Sequence, residues 1–223
     1  MKFEFAGATC VVTAQHFNPS VIRESWLLKH GILVEEDLLP GFAFTDMLAN
    51  INTAKVHMLI APDRVQFTPK VDIAEQQALL NDKLGTIIGI LPHTPYQAIG
   101  LNFEWHARPE DGDIHTLCRE LFFRTGRPID SEFDSQDARL GAYFSKDFHA
   151  FRMKLDIKPM AISAEADGET NKFEILRFGF NFHRDVQDSA DMVSDLKESI
   201  GFWDEARMAA EAITNRVREA TTV

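Results

Sequence analysis

Ile99-Gly100-Leu101-Asn102-Phe103-Glu104-Trp105-His106 and Arg177-Phe178-Gly179-Phe180-Asn181-Phe182-His183 share one alternation and one short pattern, Gly-x-Asn-Phe. Successive side chains of a strand point to opposite faces. In the first stretch Ile99, Leu101, Phe103 and Trp105 therefore share one face, and Gly100, Asn102, Glu104 and His106 share the other. In the second, Phe178, Phe180 and Phe182 oppose Arg177, Gly179, Asn181 and His183. Two strands matched in phase predict one pleated sheet with an apolar face under helices and a polar face. The expected fold is α+β: a largely antiparallel sheet from two related halves, helices packed on one face, and a helical C-terminus.

A chain of 223 residues is read as one domain, 1–223, since the prior is roughly one domain per 150 residues and a chain of this length buries a sizeable core. Its internal pseudo-duplication divides it into halves of about 1–125 and 138–223. The 18 phenylalanines fall mostly at strand period, as in Phe3-Glu4-Phe5 and Phe42-Ala43-Phe44, and so predict a Phe-rich core. A formal charge of −11 repels polyanions and argues against nucleic acid. The start, Met1-Lys2-Phe3-Glu4-Phe5, lacks an apolar signal core, and no run approaches the ~20 residues of a membrane span. Cys10 and Cys118, the 2 cysteines, make no disulfide framework. The expectation is a cytoplasmic protein that meets no membrane.

The connecting segments carry their own punctuation. Asn18 as cap, Pro19 at the first turn and Gly31 at the end predict a helix over 19–30 that docks through Ile22 and Trp26. Residues 32–41 read as acidic loop, and Pro62-Asp63 as the turn of a hairpin. Asp72 with Glu75 predicts a capping box opening a helix over 73–91; Asp113 opens another over 113–124. The turn-forming stretch 126–137 marks a boundary. Beyond it a second strand set begins at Leu140, Lys158-Pro159 echoes Ala61-Pro62 as a second hairpin corner, and Asp167-Gly168 marks a turn. From about 188 the spacing is helical, as one helix or as two joined at Gly201. Its stripe, which includes Trp203, Ile213 and Val217, either lies on the sheet or binds a partner. The expectation is self-association or a protein partner, because three other helices already cover the sheet.

Common catalytic signatures are absent: the chain has no GxxxxGK[ST] loop, no GxSxG elbow and no HExxH helix. Glu104, His106, His115 and Cys118 are permissible zinc ligands whose spacing fits no standard template. No cofactor is expected. The polar face offers a stronger constellation. If the repeat strands are neighbours, Asn102, Glu104 and His106 approach Asn181 and His183, with Arg177 alongside and the two glycines leaving room for a ligand. The leading expectation is a non-enzymatic interaction or ligand-binding protein, an adaptor or assembly subunit, with Asn102, Asn181 and Arg177 as ligand contacts. The alternative is an enzyme, a hydrolase using Glu104, His106 and His183.

Overall fold

Both repeat stretches lie in long strands, and the strands are direct neighbours. The computed structural model of the chain describes all residues but 38–40, 110–112, 124–125, 136–137, 167–168 and 221–223, and the backbone alone of 164–166, 169–172 and 220. Nine strands occur among the described residues: β1 (Lys2–Ala14), β2 (Ala43–Phe44), β3 (Ala49–Asn52), β4 (Val56–Ala61), β5 (Arg64–Pro69), β6 (Tyr96–Arg108), β7 (Ala142–Phe148), β8 (Phe151–Ala166) and β9 (Glu169–Asp185). They form one sheet in the order β2-β3-β4-β5-β1-β6-β9-β8-β7. Every neighbouring pair is antiparallel. The fold is α+β. The first half of the chain supplies six strands and the second half three.

The core face follows the sequence alternation. Ile99, Leu101, Phe103 and Trp105 of β6 meet Phe178, Phe180 and Phe182 of β9, all buried. Phe103 and Phe182 have ring centroids 6.0 Å apart, and Trp105 and Phe180 5.6 Å. A β-bulge between Phe5 and Gly7 reconciles Phe3 and Phe5 with the later core residues Ala8, Cys10 and Val12. One extra residue shifts the pleat, so odd positions before the bulge and even positions after it share a face. Phe3 accordingly reaches Phe178 at 5.4 Å and Phe5 reaches Trp105 at 5.0 Å.

Helices cover this face: α1 (Glu24–Lys29), α2 (Ile73–Ile90), α3 (Ile114–Phe122), α5 (Met192–Gly201) and α6 (Trp203–Ala220), with a one-turn α4 (Pro128–Glu132) inside the stretch read as a boundary. None of the described helices is long and apolar enough to cross a membrane. Pro62-Asp63 does turn the β4–β5 hairpin, since Ala61 pairs with Arg64. Asp113 caps α3 as expected, its carboxylate accepting from the backbone N–H of His115 and Thr116.

Several expectations are corrected. The segment 19–30 is not one helix: Pro19–Val21 is a 3₁₀ turn capped by Asn18, Ile22 and Arg23 are extended, and α1 follows. The β-branched pair Val21-Ile22 is a poor place to continue a helix. The break rotates the register, so Ile22 and Leu27 are buried while Trp26 is only partly buried against His30. Asp72 precedes α2 without a side-chain cap hydrogen bond. Pro159 is no hairpin corner but lies within β8, paired with Leu176. It sits beyond the end of β7, where one edge of β8 is unpaired and a strand proline is tolerated. The Asp167-Gly168 turn and residues 38–40 of the segment read as acidic loop fall outside the described residues.

The C-terminal segment is two helices, and the break after Gly201 turns α6 into the core. Trp203 is fully buried, its ring centroid 4.7 Å from that of Phe103 and its indole N–H donating to Gln76 Oε1 at 3.3 Å. The next residue of α2, Gln77, accepts from the backbone N–H of Asp204 at 3.0 Å. This satisfies one of the free donors in the first turn of α6. The stripe offered to a partner is therefore largely taken up within the chain: Trp203 has no exposed surface, and Ile213 and Val217 pack partly buried on the same core.

Candidate functional site

The described helices lie on one side of the sheet, and the opposite face carries polar residues. Backbone pairing sets these in rows across the strands. Asn102 stands directly opposite Asn181, Asn181 opposite Lys154, and Lys154 opposite Ser145, while Thr9 faces Asn102 from the other side. Two residues along, in the next row on this face, Glu104 pairs with Gly179, Gly179 with Asp156, and Asp156 with Tyr143. A cleft of about 640 Å³ opens over these two rows, lined from Thr68 on β5 to Tyr143 on β7. A lining that spans six strands requires the sheet to curl around it, as twisted antiparallel sheets do.

Glu104 is the electrostatic centre of the cleft. Arg177 donates from Nε to Glu104 Oε2 at 2.7 Å, and its Nη2 lies 2.6 Å from the same oxygen. His106 Nε2 meets Glu104 Oε1 at 2.7 Å. Partial burial pushes the Glu104 carboxyl up. The Arg177 hydrogen bond, the His106 hydrogen bond and the positive charge of both partners outweigh it, and the net value falls below the usual carboxylate range. Glu104 is thus a held carboxylate. A general acid or base works best with a pKa near the operating pH, and this environment moves Glu104 away from it.

The two glycines of the repeat pattern are explained by what lies over them. A methyl group on Gly179 would sit 2.7 Å from Arg177 Nη1 and 2.9 Å from its Cζ. The missing side chain lets the guanidinium lie flat across β9, between Glu104 and Asp156, whose Oδ2 is 3.6 Å from Arg177 Nη1. At Gly100 the corresponding space is taken by Asn181 Nδ2, 3.1 Å from where a methyl would be. The room expected for a ligand is occupied by the protein's own polar groups. Asn181 donates to Asn102 Oδ1 at 2.8 Å, and Asn102 donates to the Thr9 carbonyl at 3.2 Å.

This Asn pair borders two depressions. The large cleft holds Glu104, His106 and Arg177; a smaller one of about 230 Å³ holds His183. His183 stands opposite Gly100, four residues from Glu104 along β6, which is about 13 Å at strand spacing. It bonds Asp185 Oδ1 at 3.0 Å. Glu104 and His106 are brought together; His183 is not brought to them, and the hydrolase triad of the sequence reading does not assemble. The zinc set also separates. His115 on α3 pairs with Glu174, its Nε2 3.1 Å from Oε2, and Cys118 is buried in the core, on the helix side of the sheet from Glu104 and His106. No cluster of three or more metal-ligating side chains occurs among the described residues. Burial, reinforced by Asp113 and Glu174, pushes the Cys118 thiol up to about 11.

Lining residues from strands outside the repeat pair escaped the sequence reading, among them Lys154 and Tyr143. Lys154 and Tyr143 lie on β8 and β7, and their place over the cleft depends on β8 pairing with β9 in the register that sets Lys154 beside Asn181. The alternation of Phe151, Met153 and Leu155 does assign Lys154 to the polar face, but not to these neighbours. Comparison with known protein families, curated proteins and solved structures gives no match to this chain.

Proposed function

We propose that this is a non-enzymatic ligand-binding protein whose curled polar sheet face takes a small polar molecule bearing an acidic group, a carboxylate or a phosphate. The observation that carries this reading is Lys154. Every other charged side chain lining the cleft is paired: Glu104 with Arg177 and His106, and Asp156 with Lys158 at 2.7 Å and with Arg177. Lys154 has neither a hydrogen bond nor an ion pair among the described residues, though it is partly buried beside Asn181. An unpaired ammonium gains from an anion, and the amides of Asn102 and Asn181 with the hydroxyl of Thr68 supply orientation. The lining charges of Glu104, Asp156, Lys154 and Arg177 cancel, so the cleft is a neutral locality on a chain of net charge −11 and does not repel an acidic ligand as the rest of the surface does.

Thermal shift with citrate, glucose 6-phosphate and glucose tests the proposal. A ligand that binds only the folded state raises the midpoint; an acidic compound is expected to do so, the neutral sugar is not, and Lys154→Met is expected to remove the response. If neither acid moves the midpoint, or Lys154→Met responds as the wild type does, the reading fails.

A further inference from the structure

The two ends of the sheet are finished differently. At one end β2 is only two residues long, a blunted edge. At the other, β7 runs seven residues, contains no proline, and pairs with β8 alone. Its outer row of backbone groups has no strand beside it among the described residues. It also exposes two consecutive aromatics, Tyr143 (63%) and Phe144 (54%), one on each face of the sheet. Natural proteins normally shorten, charge or cover such an edge. The strand is also firmly placed. Gly141 passes so close to the Ile157 carbonyl that a methyl there would lie 2.3 Å from its oxygen. At the other end the chain turns tightly through His149, at φ 51°, and Ala150.

We infer that β7 is a self-association edge, which pairs antiparallel with β7 of a second copy of this chain. A twofold axis normal to the sheet keeps polar face with polar face, so residues paired across it must share a face. Centring the axis on Ser145 is the register that pairs all seven residues. It sets Tyr143 opposite the second copy's Asp147 and Phe144 opposite the second copy's Lys146. Both pairs are complementary. A phenol hydroxyl donates to the Asp147 carboxylate, which also keeps its ion pair with Arg152 at 2.9 Å, and the Lys146 ammonium lies against an exposed ring. Moving the centre one residue toward Lys146 sets Lys146 against its own copy, with like charges directly opposite, and this favours the Ser145 register. Tyr143 lines the cleft, so the second copy would complete the outer wall of that site as well.

The test is sedimentation velocity over a hundredfold concentration range with three proteins: wild type, Phe144→Lys, and Phe144→Lys combined with Lys146→Glu. Wild type is expected to dimerise. Phe144→Lys sets a lysine against the second copy's Lys146 at two symmetric places and is expected to raise the dissociation constant about tenfold or more. In the double variant each introduced lysine would face the introduced glutamate of the second copy, so association returns to within about threefold of wild type. That recovery separates a lost interface from a lost fold, and it occurs only in the Ser145 register. A wild type that stays monomeric throughout, or a double variant no better than the single one, overturns the inference. The ligand proposal fails or stands separately, since it rests on Lys154 and is read by midpoint shifts.

Discussion

Replacing Trp203 with alanine removes an indole that is fully buried, packs against Phe103 at 4.7 Å between centroids, and donates a hydrogen bond to Gln76. Truncating a buried aromatic costs about 3–5 kcal/mol, through lost transfer energy and the cavity left behind. Gln76 is itself buried, at 5% exposure, so its carbonyl oxygen loses its partner, a loss that ordinarily costs about 1–3 kcal/mol. In a chain of this size each kcal/mol moves the melting midpoint by about 2–4 °C, which predicts a fall of roughly 8–32 °C for Trp203→Ala when both costs are counted. Differential scanning calorimetry on Trp203→Ala, Gln76→Met and the double variant reads both contributions. The double variant should fall short of the sum of the single ones by about 1–3 kcal/mol, because the two residues act on one bond. Trp26→Ala is the internal control: its indole is only partly buried, and it should lose roughly half as much or less. If Trp203→Ala melts no lower than Trp26→Ala, α6 is not part of the core and its stripe is available to a partner after all.

Glu104 makes stability depend on acid in a defined direction. Its carboxyl in the folded protein ionises below the unfolded value of about 4.3, so its ion-pair contribution is complete above that pH and is lost as pH falls through the lower folded value. Glu104→Gln should therefore unfold at lower urea than wild type at pH 7, with the gap closing below about pH 4; a gap independent of pH refutes this. Gly179→Ala should displace the Arg177 guanidinium and give the same loss of acid dependence, whereas Gly7→Ala, whose added methyl meets nothing within 4 Å, should not. Cys10 and Cys118 are both buried, with thiols raised by burial. A thiol reagent at pH 8 should label neither within minutes in the native protein and 2 per chain after unfolding; rapid labelling of Cys118 in the native protein would show that α3 opens.

How much of this was legible without coordinates follows from the range of each interaction. The alternation at 99–106 and 177–183 assigns every side chain of β6 and β9 to a face, because the pleat is a local property of period two. The caps at Asn18 and Asp113 are equally local, each a side chain bonding a backbone N–H two or three residues on. Adjacency of the two strands, with Asn102 opposite Asn181, agreed with the matched phase. The site itself was not legible in the same way. Nothing in the spacing of Glu104 and Arg177, 73 residues apart, says that a guanidinium will lie over Gly179, and nothing places His115 and Cys118 on the far side of the sheet from His106. Trp203 and Trp26 show the same limit. Both sit on apolar stripes, yet which indole is swallowed depends on a helix break at Gly201 in one case and at Ile22 in the other. Periodicity fixes which residues share a face; what covers that face is set by contacts between segments distant in sequence, and those exist only once the chain is folded.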